Sequence, residues 1–99
     1  MNDLPNVIRE TLSSDDLLSQ LEEECAELIQ AASKLRRAMG GSNPTPVTVE
    51  EAQSMIVEEF ADVLLCLQLL GYSPDDKVIS DIQNHKRARW VSRITTNRR

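Results

Sequence analysis

Two stretches of this chain repeat apolar residues in steps of three and four, and each carries a pair of acids one residue ahead of its stripe. Leu18, Leu21, Cys25, Leu28, Ala32, Leu35 and Met39 make the first stripe. Ile56, Phe60, Val63, Leu67 and Leu70 make the second. That period belongs to amphipathic helices packed against one another, and no segment alternates as a strand does. The chain therefore reads as all-α. With 99 residues it is one domain, 1–99, and too short for a private core plus an enclosed pocket. A small bundle of three main helices, completed by oligomerisation into a dimer or a dimer of dimers, is the expected architecture.

The helix ends are written in the sequence. Ser13 and Ser14 introduce the first helix, with Asp15 and Asp16 complementing the dipole in its first turn. It runs to about Met39 and stops at Gly40-Gly41. Residues 40 to 47, with two prolines, form a loop. Thr48 and Glu51 form a capping box for the second helix, which ends at Gly71. Ser73, Pro74 and Asp76 supply N-cap, N1 proline and N3 acid for a third helix. Val78, Ile79 and Ile82 lead its apolar face, and Trp90, Val91 and Ile94 continue it. Residues 1 to 12 hold a short helical turn, and Thr95 to Arg99 fray.

Charge narrows the function. The net charge is -5, which opposes nonspecific attraction to nucleic acid or anionic membrane. Six of the 11 Lys and Arg lie between Lys86 and Arg99, so an acidic body carries a basic end. No stretch is long and apolar enough for a membrane span, and no secretory leader is visible. Cys25 and Cys66 both fall in apolar helical pattern, with no CxxC, and read as reduced core thiols of a cytoplasmic protein.

The acids carry the chemistry. Glu24 and Glu27 are three apart on one helix, and Glu59 and Asp62 are three apart on the other. Asp62 is the most telling, because it stands in Phe-Ala-Asp-Val-Leu-Leu-Cys-Leu, where an unpaired carboxylate is costly. Each pair borders its stripe, so antiparallel packing brings the pairs face to face. Four carboxylates on one spot make a hard-oxygen site for magnesium or manganese. Glu22, Glu51 and Glu58 read as surface acids. A di-iron bundle site is disfavoured, since it wants Glu-x-x-His on two helices and the one histidine is His85.

Glu23-Glu24-Cys25-Ala26-Glu27-Leu28, followed by Glu58-Glu59-Phe60-Ala61-Asp62-Val63-Leu64, resembles the EExxE and ExxD motifs of MazG-like nucleotide pyrophosphohydrolases, the all-α NTP pyrophosphatase superfamily. The resemblance covers roughly residues 15 to 94 and is nearest the short phage and prophage members. It implies a magnesium-dependent enzyme cleaving nucleoside triphosphates to monophosphate and pyrophosphate. It implies that Glu24, Glu27, Glu59 and Asp62 ligate the metal and that Glu23 is an accessory catalytic acid. Many members carry Lys-x-x-x-Asn-x-x-Arg on the last helix, contacting substrate. Lys86, Trp90 and Arg93 have that spacing here, with Trp90 where asparagine is usual. A rival register uses Asn84 and Arg87, with Ser80 in the lysine place.

Lys34, seven residues after Glu27, is a further candidate for a substrate phosphate or for a salt bridge. Trp90 serves either base stacking or a helix interface, and Phe60 and Tyr72 read as core and loop residues. The expected partners are a nucleoside triphosphate and a second copy of the chain, not nucleic acid or membrane. A non-enzymatic helical interaction module is the competing reading, because the same stripes suit a helical partner.

Overall fold

The computed structural model describes residues 4–96. Its elements, in order, are α1 (Leu4–Thr11), α2 (Ser14–Ala38), α3 (Val49–Leu69) and α4 (Lys77–Thr96), with no strand among the described residues. The all-α expectation holds, with α1 as a fourth helix where only a helical turn was expected.

Local chemistry fixes each helix start. Ser13 caps α2 by a full capping box: its hydroxyl accepts from Asp16 N–H at 3.1 Å, and Asp16 Oδ2 accepts from Ser13 N–H at 3.0 Å. Thr48 caps α3, its hydroxyl accepting from Glu51 N–H at 3.1 Å and donating to the Glu51 carboxylate at 3.1 Å. The third expected helix start is corrected. Ser73 to Asp76 close a turn, with Asp76 N–H donating to Ser73 O, and α4 begins at Lys77. Asp76 is its cap rather than its N3 acid, accepting from Val78 N–H at 2.8 Å. A free carboxylate reaches the N–H groups of the first turn from just outside the helix, which is the favoured position for Asp.

The end of α3 is closed twice. Tyr72 N–H donates to Leu67 O and Gly71 N–H to Gln68 O, with Gly71 at φ +99°. That is the Schellman pattern, and positive φ is why glycine stands there. Arg9 on α1 then reaches across, its guanidinium donating to Leu69 O at 3.2 Å and to Gln68 O at 3.1 Å. Leu69 O lies in the last turn, where no intrahelical donor reaches it, while Gln68 O takes the guanidinium in addition to Gly71 N–H. α1 is thus clasped to the far end of α3.

The α2–α3 hairpin is the body of the protein, and its seam differs from the stripes read off the sequence. On α2 the inward positions are Leu17, Leu21, Glu24, Leu28, Ala31 and Leu35. On α3 they are Ala52, Met55, Glu59, Asp62, Cys66 and Leu69. Both run in alternating steps of three and four, the period of a coiled-coil seam. Ala31 and Ala52 are the most buried residues, at 1% and 0% exposure, and their small side chains let the helices approach. Leu18, Met39 and Phe60, assigned to the stripes by hydrophobicity, lie outside the seam and are exposed, Phe60 at 56%. Glu24, Glu59 and Asp62 therefore stand in the seam itself, not at its edge.

α4 is nearly uncovered. Only Ile79 is partly buried, and with Gln83 it shares a groove against Phe60, Leu64 and Leu67 of α3. Val78, Ile82, Trp90, Val91 and Ile94 are exposed, so the expected apolar face of this helix is not covered by the described residues. Thr95 and Thr96 continue the helix, with the Thr95 hydroxyl donating to Val91 O at 2.9 Å, where fraying was expected. Residues 97–99 of that expectation lie outside the described residues. The radius of gyration is 17.6 Å, against about 13 Å for a compact chain of this length. No helix of the described residues is long and apolar enough to cross a membrane.

Candidate metal centre

Glu24 and Glu27 come from the middle of α2, Glu59 and Asp62 from the middle of α3. The hairpin runs antiparallel: Leu17, near the start of α2, lines the same pocket as Leu69 at the end of α3, and Glu24 and Asp62 come together between them. Mid-helix therefore faces mid-helix. One oxygen from each of the four carboxylates lies within 4.8 Å of the others. Glu24, Glu59 and Asp62 are half-buried, and Glu27 is exposed at the mouth.

Such crowding disfavours the charged forms. The Gln20 amide donates to Glu24 Oε1 at 2.9 Å and favours the charged form. Burial and the charges of Glu27 and Asp62 outweigh it, and the Glu24 carboxyl is pushed above the ordinary carboxylate range. Glu59 is pushed up as well, by burial first, then by the adjoining Glu27 carboxyl, then by repulsion from Asp62 and Glu24. The buried Cys66 thiol is raised by burial and then by the charges of Glu24 and Asp62. Cys25 and Cys66 are free thiols, and Cys25 is only half-buried.

The donor set fits a hard divalent cation. Glu24 Oε2 and Glu59 Oε2 are buried with no hydrogen-bond donor, an arrangement that costs free energy unless a cation or proton meets them. No lysine or arginine of the described residues does so. Among the described residues the one ion pair is Lys77 with Asp81, within α4, at 2.7 Å. All four side chains offer carboxylate oxygens, the donor type that magnesium and manganese prefer.

The remaining candidate residues are dispersed. Glu23 is exposed beside the cluster but is not one of its members. Lys34 is half-buried further along α2, without an ion pair among the described residues. Lys86, Trp90 and Arg93 lie on the uncovered part of α4, with Trp90 at 62% exposure, and are not brought to the carboxylates of their own chain. In the rival register, Arg87 donates to Asn84 Oδ1 at 2.7 Å. Two contributors escaped the sequence reading. Gln20 had a legible signal, four residues before Glu24 on the same helix face. Arg9 had none, because its partners are backbone carbonyls about 60 residues away, a separation only the fold closes. No protein-family model, curated protein or solved structure matches this chain.

Proposed function

We propose that the chain is a magnesium-dependent nucleoside triphosphate pyrophosphohydrolase of the MazG-like kind, releasing pyrophosphate and a nucleoside monophosphate. One observation carries the reading: four carboxylates, a Glu-x-x-Glu pair and a Glu-x-x-Asp pair, meet within 4.8 Å across a helix seam, and two of their oxygens are buried without donors. A purely structural seam has no use for acids at these positions.

In this reading Glu24, Glu27, Glu59 and Asp62 hold the magnesium, which supplies charge neutralisation and polarisation of a phosphoryl oxygen. Glu23 orients the water that attacks the α-phosphorus in line with the departing pyrophosphate. The bond to the bridging oxygen breaks as the new P–O bond forms, and the water's proton passes to a carboxylate. Manganese fits the same oxygen set.

Among the described residues no lysine or arginine pairs with the four carboxylates within a single chain. Lys86 and Arg93 of a second copy, with Trp90, are the candidates to supply them, and Lys34 is the one on the same helix as the first acid pair. The basic α4, uncovered and apolar on several faces, suits docking on the acidic body of another copy. The same uncovered helix favours one other reading, a helical interaction module without turnover.

The test is incubation of the purified protein with each common NTP and dNTP, with and without magnesium. Pyrophosphate that needs magnesium, and is lost in folded Glu27→Gln and Asp62→Asn variants, is the expected result. No pyrophosphate from any triphosphate, in a folded and metal-loaded protein, favours the interaction module. Sedimentation at micromolar concentration should give a dimer or tetramer, and a monomer refutes the self-association.

A further inference from the structure

The hairpin, α1 and Leu12 line an open pocket of about 280 Å³ that includes two of the carboxylates. Ile8 of α1 and Leu12, just beyond its end, form one wall, and Leu65 and Leu69 of α3 form another. Its polar residues are Gln20, Glu24 and Asp62. Glu24 and Asp62 are also members of the carboxylate cluster. The pocket and the centre thus share two side chains and form one continuous site.

We propose that this pocket takes the nucleoside part of the substrate and that Gln20 helps set which base is preferred. The proposal rests on the hydrolase reading above and adds the place and chemistry of base recognition. Such a site asks for a ligand with apolar faces, a polar edge and an anionic end. A nucleobase stacks its faces on aliphatic side chains, presents N–H and C=O groups at its edge, and carries phosphates toward the metal-binding carboxylates. A lipid chain or apolar peptide side chain would fill the wall but leave the shared carboxylates unused. The volume is at the small end of ligand pockets, enough for part of a nucleotide and not for a whole triphosphate.

Gln20 gives the pocket a sense. Its amide nitrogen is committed to Glu24 Oε1 at 2.9 Å. One amide N–H is used in this way, and the carbonyl acceptor and the second N–H remain to meet the polar edge of a base. The α1 wall is held in place by the two Arg9 hydrogen bonds to the end of α3. Leu12 and Leu65 keep 39% and 49% of their surface exposed, apolar area that a bound base would cover.

The experiment is a methyl-labelled NMR titration with the common nucleosides, which carry no phosphate, run beside the pyrophosphate assay. Saturable shifts are expected at the methyls of Ile8, Leu12, Leu65 and Leu69. Leu12→Trp, which fills the pocket, should remove them and raise KM about tenfold with kcat and manganese binding little changed. Gln20→Leu, on an exposed helix surface, should narrow the differences in affinity among bases even if Leu12→Trp misfolds.

The outcomes separate the two claims. Pyrophosphate release with unmoved pocket methyls overturns the pocket and leaves the reaction standing. Nucleoside-dependent shifts without release from any triphosphate uphold the pocket and overturn the reaction. Neither response overturns both. Methyl shifts that follow protein concentration instead of nucleoside mean that a second copy covers the pocket, which overturns the proposal.

Discussion

Replacing Asp62 by leucine should stabilise the metal-free protein and destroy its response to metal. Asp62 is a seam position between Glu59 and Cys66, half-buried against α2. A leucine there adds apolar burial of about 1–1.5 kcal/mol, half the value of a fully buried side chain. It also removes one charge from a cluster whose oxygens lie within 4.8 Å of one another. In a domain of this size, about 1 kcal/mol moves the melting temperature by about 4–8 °C. The metal-free variant should therefore melt about 5–10 °C above the parent. The parent should gain about 2.7 kcal/mol from a cation at 100 times its Kd. The variant, with one ligand gone, should gain far less. Thermal denaturation followed by circular dichroism, in chelator and in a magnesium or manganese series, reads both effects. Asp62→Asn keeps the shape and separates charge from packing. A variant that melts below the parent in chelator, or that keeps the full metal-dependent rise, refutes the reasoning.

Three further outcomes follow from the same structure. The carboxyls of Glu24 and Glu59 are raised above their ordinary value of 4.5 by burial and by the neighbouring acids, so above that pH the native chain binds protons more tightly than the unfolded chain. Metal-free stability should thus fall as pH rises from about 4.5 through their raised native values, and a divalent cation should reverse the trend; melts between pH 4 and 8 with and without chelator check this. Ala31→Leu should cost about 1–3 kcal/mol by forcing α2 and α3 apart, seen as a lower urea midpoint, because Ala31 is 1% exposed in the seam. Arg9→Met should cost about 1 kcal/mol and strip exchange protection from α1 amides before those of α2 and α3, because it removes the two bonds to Gln68 and Leu69 carbonyls.

Much of this molecule is determined by short-range chemistry and is legible in the sequence. Ser13 with Asp16, and Thr48 with Glu51, fix two helix starts through hydrogen bonds three residues long. Gly71 fixes a helix end because positive φ is cheap only for glycine. The three-residue spacing of Glu24 with Glu27, and of Glu59 with Asp62, sets each acid pair on one helix face whatever the helix packs against.

The tertiary structure decided which face that is. Hydropathy ranks Phe60, Leu18 and Met39 above Ala31 and Ala52, yet the alanines line the seam because close helix approach rewards small side chains and continuous contact, not individual hydrophobicity. That choice turns Glu24, Glu59 and Asp62 from bordering acids into seam residues and brings the two pairs together. It also decided that α1 lines a pocket and that α4 stands clear of the carboxylates. Both depend on contacts between distant segments, or on their absence, and no periodicity within a helix encodes them.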